Sequence, residues 1–272
     1  MGMRLQFPRK KAVQPKASLP EPSQVPSISG AQMAAVYRGN RMGGDFYDFL
    51  RVSPRLVLFA LLDVAGQHDE NQGIVSAAQQ TFRTLGPELF AGDDINEAVA
   101  MIELSLQLNR TIMQAAGGVR SCPAFAGCYN EFLGTVCYSN AGHTPALLRD
   151  RTGVTQLPAT GLPLGLFSHV THDAPTAALE PGAALLLVSR GITEGKCGGE
   201  EFGLERVEAS FQRSPLEGAE PLCSHILDSV QQFMCVPPRH NDVTALALFR
   251  PNSGNAATAV QKPEIGRADA PG

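Results

Sequence analysis

The sequence contains no tryptophan, and its aromatic residues amount to only 6%. So thin an aromatic supply argues against a stacking platform for single-stranded nucleic acid. A basic surplus is missing too: the 272 residues carry a formal net charge of −4. That charge is unevenly spread. Arg4, Arg9, Lys10, Lys11 and Lys16 give residues 1–16 a charge of +5 with no acid. From Pro251 onward Lys262 and Arg267 balance Glu264 and Asp269, so by difference the middle of the chain holds −9. An acidic body with no basic face is a poor duplex binder, because such affinity comes largely from neutralising phosphates. No nucleic-acid partner is expected.

No run approaches the roughly 20 apolar residues that cross a bilayer, so no membrane span is expected. The basic start is followed by proline and serine rather than an apolar stretch, unlike a secretory signal. These absences make a cytoplasmic protein the expectation. Cysteine occurs six times, at Cys122, Cys128, Cys137, Cys197, Cys223 and Cys235, but never in a metal-binding pattern. No two are in a C-x-x-C spacing and none has a histidine at zinc-finger distance. Most sit in apolar runs such as Thr135-Val136-Cys137-Tyr138, which reads as buried free thiols in a reducing compartment.

What the chain does have is core. Hydrophobic residues make up 43%, enough for one large domain without covalent staples. Residues 1–28, with five prolines, read as a flexible, basic lead-in, and residues 251–272 as a disordered tail. Residues 29–250 form the expected domain. Strands are predicted at Gln32–Tyr37, Phe46–Val52 and Leu56–Asp63, the last a continuous apolar run suited to a sheet buried on both faces. Helices follow at Ile74–Leu85, before Pro87, and at Ile95–Ala116, with Asp93 and Asp94 at its start and Gly117-Gly118 at its end. Strands resume at Cys122–Asn130, Thr135–Asn140 and Ala183–Val188. Helices are predicted at Leu204–Gln212 and Pro221–Phe233, and a last strand at Val243–Phe249. The order implies an α+β fold with helices outside stacked sheets.

Two acids stand at strand ends. Asp45 follows Gly43-Gly44 and opens one strand; Asp63 closes the next, before Val64-Ala65-Gly66. A carboxylate ending an apolar strand is costly unless it is paired or metal-bound. Two from neighbouring strands suit a hard cation with oxygen ligands, while Gly-Asp is also ordinary turn chemistry. The residues alone leave both readings open. His169 and His172 have no companions to complete a zinc site and read as a solvated loop. His143 reads as a hydrogen-bonding turn residue, and Thr193 and Glu194 as a helix cap or pocket lining.

Gly43-Gly44-Asp45-Phe46-Tyr47-Asp48 resembles the opening motif of the SpoIIE/RsbU branch of the metal-dependent serine/threonine protein phosphatases, the PPM family. The resemblance continues, in the family's order, through Leu62-Asp63-Val64-Ala65-Gly66 and Tyr138-Ser139-Asn140-Ala141-Gly142-His143-Thr144-Pro145. Gly161-Leu162-Pro163-Leu164-Gly165, Leu179-Glu180-Pro181-Gly182 and Gly191-Ile192-Thr193-Glu194 come next. Glu201-Phe202-Gly203-Leu204-Glu205-Arg206 and Asn241-Asp242-Val243-Thr244 complete it, and Leu19-Pro20 matches a short lead-in, so that it covers roughly residues 17–250.

The resemblance implies two antiparallel sheets stacked face to face and flanked by helices, an α-β-β-α sandwich. It also implies hydrolysis of phosphoserine or phosphothreonine by water activated between two Mg²⁺ or Mn²⁺ ions, so no side chain is singled out as catalytic. Carried over by position, Asp45 and Asp63 are metal ligands, Asp63 bridging, and Val64 contributes its backbone carbonyl. Gly44, Gly66, Gly191 and Asp242 line the pocket. Two ligand positions depart from the pattern: Arg190 stands before Gly191 and Asn241 before Asp242, where the family has aspartates.

An arginine has no lone pair for a metal and cannot be deprotonated, but it forks well onto a carboxylate. Arg190 is therefore expected to pair with Asp63 or Asp242 and to neutralise the pocket. That leaves room for one Mg²⁺ or Mn²⁺ and argues against two. Two functions follow. The first is a metal-assisted phosphatase, weakened at these positions and acting on a phosphoprotein such as a STAS-type anti-sigma-factor antagonist. The second is a catalytically inactive pseudophosphatase that binds a protein partner. The resemblance also raises a homodimer.

Overall fold

A computed structural model describes residues 23–38, 44–64, 68–92, 94–235 and 242–252. It contains two five-stranded antiparallel sheets and five helices among the described residues. The chain opens with β1 (Gln32–Arg38), β2 (Asp45–Arg51) and β3 (Leu56–Asp63), then the helices α1 (His68–Leu89) and α2 (Glu97–Ala116). The middle supplies β4 (Ala124–Asn130), β5 (Thr135–Ala141), β6 (Ala146–Asp150), β7 (Gly153–Leu157), β8 (Thr176–Ala178) and β9 (Ala184–Val188). The short α3 (Arg190–Thr193) and the hairpin β10 (Lys196–Cys197) and β11 (Glu200–Glu201) come next. The chain closes with α4 (Gly203–Arg213), α5 (Ala219–Phe233) and β12 (Val243–Phe249). One sheet runs β2-β3-β4-β5-β8 and the other β1-β12-β9-β6-β7.

Side-chain alternation along the strands sets the layers. In β3, Leu58, Ala60 and Leu62 face α1 and α2, where they join Ile74, Phe82, Met101, Leu104 and Leu108. Val57, Phe59 and Leu61 of the same strand face inward and meet Leu185, Leu187, Leu246 and Leu248 of the second sheet. The opposite faces of β9 and β12, with Leu186, Val188, Ala245 and Ala247, are covered by Val207, Phe211, Leu222, Ile226 and Val230 of α4 and α5. Three apolar layers thus give the order helices, sheet, sheet, helices. Because both faces of β3 and β12 are covered, each reads as an unbroken apolar run rather than an alternating one.

Several details differ from the sequence reading. The first helix starts at His68 and carries Pro87 inside it; Phe82 and Phe90, both fully buried, anchor its last turns. The second helix is capped by Asn96, whose side chain accepts from the Val99 amide at 3.1 Å, and Glu97 is its first-turn acid. Residues 23–28 of the expected lead-in lie on the sandwich: Ser23 donates to the Tyr47 carbonyl at 2.6 Å, and Ile28 packs against the inter-sheet core. His172 is not solvated but 3% exposed, closed over by Gly161, whose Cβ would stand 2.3 Å from its Nδ1. Not all six thiols are free and buried either. Cys197 and Cys235 are joined as a disulfide, while Cys122, Cys128, Cys137 and Cys223 are buried and free.

Candidate functional site

Antiparallel pairing of β2 with β3 sets Asp45 directly opposite Asp63. Each lies on the inward face of its strand, in step with Tyr47 and Phe49 on β2 and with Leu61 and Phe59 on β3. Both carboxylates therefore open into the end of the space between the sheets. The second sheet brings its own polar groups to the same end. Ser189 directly follows β9, Arg190 opens α3, Asp242 directly precedes β12 and Thr244 is the second residue of β12.

Two glycines hold these segments close. A Cβ at Gly44 would lie 1.8 Å from the Val64 carbonyl oxygen, and one at Gly191 would lie 1.9 Å from the Asp242 carbonyl oxygen. Backbone hydrogen bonds tie the same pieces: the Val64 amide donates to Gly44 O at 2.9 Å, and Ser189 N to Thr244 O at 2.9 Å. Thr244 N in turn donates to the Ser189 hydroxyl at 3.0 Å. A side chain at Gly44 would push β2 and β3 apart at their site end, and one at Gly191 would do the same to the segments flanking β9 and β12.

Of the two carboxylates open to it, Arg190 takes Asp63. Its Nε donates to Oδ2 at 2.7 Å and its Nη2 to Oδ1 at 2.9 Å, so both oxygens of Asp63 are engaged in a fork. Asp63 is 7% exposed, whereas the Arg190 side chain keeps 40% of its surface open to solvent. Asp242 has a different partner, the Tyr37 hydroxyl of β1, which donates to its Oδ1. Asp45 accepts from the Thr244 hydroxyl at 2.7 Å and also from that of Ser189. Burial of its carboxyl, and then the neighbouring charge of Asp63, push Asp45 up to about 7 against those hydrogen bonds. Near neutral pH Asp45 thus carries only a partial charge, beside the fork that joins Asp63 to Arg190.

The Val64 carbonyl is also engaged, by the Asn71 amide of α1 at 3.0 Å. His143 sits close enough to feel Asp63 and Arg190; burial lowers its pKa, and its Nε2 is buried without a hydrogen-bond partner. Its backbone amide donates to Asn140 Oδ1 at 2.8 Å and its Nδ1 pairs with the Thr144 carbonyl at 3.0 Å, the geometry of a turn. Gly66 and Asn241 lie outside the described residues. Tyr37, Asn71 and Ser189 were missed by the sequence reading. Asn71 follows Asp69-Glu70 and Ser189 precedes Arg190 in sequence, but only the packing of β1, α1 and β9 brings the three residues to the site.

The donor set can be tested against the ions that its chemistry suggests. Asp45, Asp63 and the Val64 carbonyl are hard oxygen donors grouped at one sheet end, which suits Mg²⁺ or Mn²⁺. Among the described residues no three His, Cys, Asp or Glu side chains converge as a metal cage. A second cation does not fit. The residue facing Asp63 from the second sheet is a guanidinium, which supplies positive charge and no lone pair. Asp45, Asp63 and the Val64 carbonyl would hold a single ion only if Arg190 gave up Asp63, since both oxygens of that carboxylate are engaged; the Val64 carbonyl keeps a second lone pair beside its bond from Asn71.

Two stacked antiparallel sheets with helices outside and an acidic cleft at one end define the PP2C-type phosphatase architecture. Solved structures agree on this fold. The RsbU and RsbW domains of a Mycobacterium tuberculosis protein superpose with a TM-score of 0.69 at 22% identity, covering 88% of this chain and 64% of that one. The PP2C domain with a regulatory fragment of SpoIIE from Bacillus subtilis gives 0.66 at 15%, covering 82% and 64%. The profile of the SpoIIE family, Stage II sporulation protein E, matches residues 53–251. The chain belongs to the SpoIIE family.

Among curated relatives, the phosphoserine phosphatase RsbU of Bacillus subtilis is 26% identical over 237 residues, 84% of this chain. Protein IcfG of Synechocystis is 22% identical over 257 residues. The chain spans 66% and 39% of the lengths of these two relatives. It is a SpoIIE/RsbU-like phosphatase domain of bacterial signalling, from a family that depends on Mg²⁺ or Mn²⁺. No helix among the described residues is long and apolar enough to cross a membrane.

Proposed function

We propose that the domain is a weakened protein phosphatase that removes phosphate from serine or threonine of a cytoplasmic regulatory protein, with one Mg²⁺ or Mn²⁺ ion. The observation that carries this reading is the register of β2 and β3, which sets Asp45 across from Asp63 with the Val64 carbonyl beside them. These three residues would hold the ion. When bound, a divalent cation supplies charge that polarises a phosphoryl group and acidifies water. The chain's own residues do the rest. Ser189 and Thr244 orient Asp45, and Tyr37 orients Asp242. Arg190 offers its exposed edge to the phosphate oxygens of a substrate, taking the charge-neutralising part that a second cation would otherwise play. The name of the phosphoserine phosphatase RsbU supports a phosphoprotein substrate, and a STAS-type anti-sigma-factor antagonist is the class the sequence resemblance favours.

A second reading has one specific observation behind it. Arg190 occupies both oxygens of Asp63, so a domain that never releases this fork is a pseudophosphatase that binds its partner without turnover. Manganese binding by calorimetry and phosphate release from a phosphoserine peptide separate the two. The parent is expected to release phosphate slowly and only with Mn²⁺, and Asp63→Asn to release none. A parent no faster than Asp63→Asn leaves the binding module as the function. The double variant Arg190→Asp, Asn241→Asp is expected to bind Mn²⁺ more tightly than the parent. If it binds no better, the ligand assignment itself is wrong.

A further inference from the structure

Four of the six cysteines are chemically quiet. Burial pushes Cys122 and Cys223 up to about 12 and Cys137 up to about 11, and it raises Cys128 in the same direction. Thiols in that state present almost no thiolate near neutral pH, and thiolate is the reactive form. Cys197 and Cys235 are the opposite case. Cys197 is half-buried, Cys235 is exposed, and their Cα atoms stand 4.9 Å apart across a sequence separation of 38. That spacing lies within the reach of a disulfide.

Noncovalent packing brings these two sulfurs together. The hairpin β10–β11 is closed onto α4 by the Phe202 amide, which donates to Gly195 O at 2.7 Å. The Phe202 ring then meets Phe233 at the end of α5 edge-on, with centroids 5.4 Å apart, and the Arg206 guanidinium covers Phe233 at 4.8 Å. Met234 lies against Gly195, where a Cβ would come within 3.3 Å of its sulfur. The turn holding Cys197 and the helix end holding Cys235 are thus docked by aromatic and thioether contacts whether or not a covalent bond joins them. Ring closure between groups already held in place carries little entropic cost.

We propose that Cys197 and Cys235 form a redox-modification site, a vicinal pair in space that takes a two-electron oxidant of the hydroperoxide class and closes reversibly into a covalent clamp. Cys235, the more exposed sulfur, attacks the peroxide; the O–O bond breaks, one oxygen stays on sulfur as a sulfenic acid and the other leaves as water. Cys197 then attacks that sulfur, the S–S bond forms and a second water leaves. Two thiols and one hydrogen peroxide give one disulfide and two waters: the sulfur pair loses two electrons and the peroxide gains them. The clamp joins the β10–β11 hairpin, which follows α3 and Arg190, to the end of α5. It does not rest on the phosphatase reading.

The test uses the full chain, reduced, desalted and treated with equimolar hydrogen peroxide, then alkylated and mapped by mass spectrometry without reductant. A peptide cross-linked through Cys197 and Cys235 is expected, lost again on brief treatment with dithiothreitol. The oxidised chain should melt about 5 °C above the reduced one, and the double variant Cys197→Ser, Cys235→Ser should show neither the cross-link nor the shift. Cross-links at other cysteines in equal yield, or a Cys235 sulfinic acid beside an alkylated Cys197, would overturn the proposal. A bond that survives dithiothreitol in the folded chain would do so too, because it would then be a permanent staple.

Discussion

Two arginine–aspartate forks sit on opposite faces of the first sheet, and they differ in what surrounds them. Asp48 of β2 points toward α1, where Arg83 Nε and Nη2 meet its two oxygens at 2.7 and 3.1 Å. Its remaining acceptor capacity is used by the Phe49 amide at 3.0 Å, with Gln79 at the edge of range at 3.4 Å. The Asp48 side chain is fully buried and the Arg83 side chain only 26% exposed. At the strand end, Asp63 and Arg190 make a fork of the same chemistry, but Arg190 is 40% exposed and the neighbours of Asp63 include a second acid. The first fork is closed off beneath a helix and holds that helix to the sheet. The second lies at an open mouth, beside groups that would ligate a cation. One interaction type holds a helix to a sheet in one place and occupies both oxygens of a candidate ligand in the other.

Removing the partner in the closed fork should have the largest effect. In Arg83→Ala, Asp48 becomes a buried carboxylate with no counter-charge, a situation that costs about 3–5 kcal/mol. For a chain of this size that lowers the melting temperature by on the order of 10 °C. Urea unfolding of the two proteins measures the difference. A loss below about 1 kcal/mol, the range of surface ion pairs, would show that the two forks are energetically alike and would break the comparison.

Arg190→Ala probes the open fork. Arg190 is well exposed, so the loss of stability is expected to stay within the surface range of about 1 kcal/mol or less. The gain should appear in metal binding. Freeing both oxygens of Asp63 and removing a positive charge is expected to tighten Mn²⁺ binding at least about tenfold, the equivalent of 1.4 kcal/mol. Calorimetry at low ionic strength reads it. Unchanged affinity would mean that Arg190 does not compete with the ion.

The forks also show what was legible in the sequence. Asp45 and Asp63 were visible as acids at the ends of apolar strands, and Arg190 as a cation in a position that calls for an oxygen donor. The buried strands β3, β9 and β12 announced themselves as unbroken apolar runs because layers cover both faces. The strands β6, β7 and β8 did not: each mixes apolar residues with partly or fully exposed polar positions, so none reads as an unbroken apolar run. Asp48 gave no sign of its fork, since Arg83 lies on a helix 35 residues away and only the α1–β2 contact joins them. The Cys197–Cys235 pair was hidden for the same reason. Its 38-residue separation matches no local cysteine motif, and the aromatic contacts that align it exist only in three dimensions.

The smallest effect expected is on a proton. Asp45 is raised to about 7 from an ordinary 3.8, so the folded chain binds that proton more tightly than the unfolded chain does. Its contribution to stability is therefore complete below the unfolded value and is lost as pH rises through about 7. Asp45→Asn removes the titration, so its melting temperature should gain on the parent's between mildly acid and mildly alkaline pH. Asp63→Asn sharpens the test. It removes the charge that, after burial, does most to raise Asp45, and it leaves Arg190 without its partner beside an acid that can take its place. Both changes favour the ionised form, so the Asp45 carboxyl should titrate at lower pH in Asp63→Asn than in the parent, as read from its ¹³C resonance. An unmoved titration would mean that burial alone sets Asp45 and that the two acids do not sense each other. The mouth of the sandwich would then be no more coupled than the closed fork beneath α1.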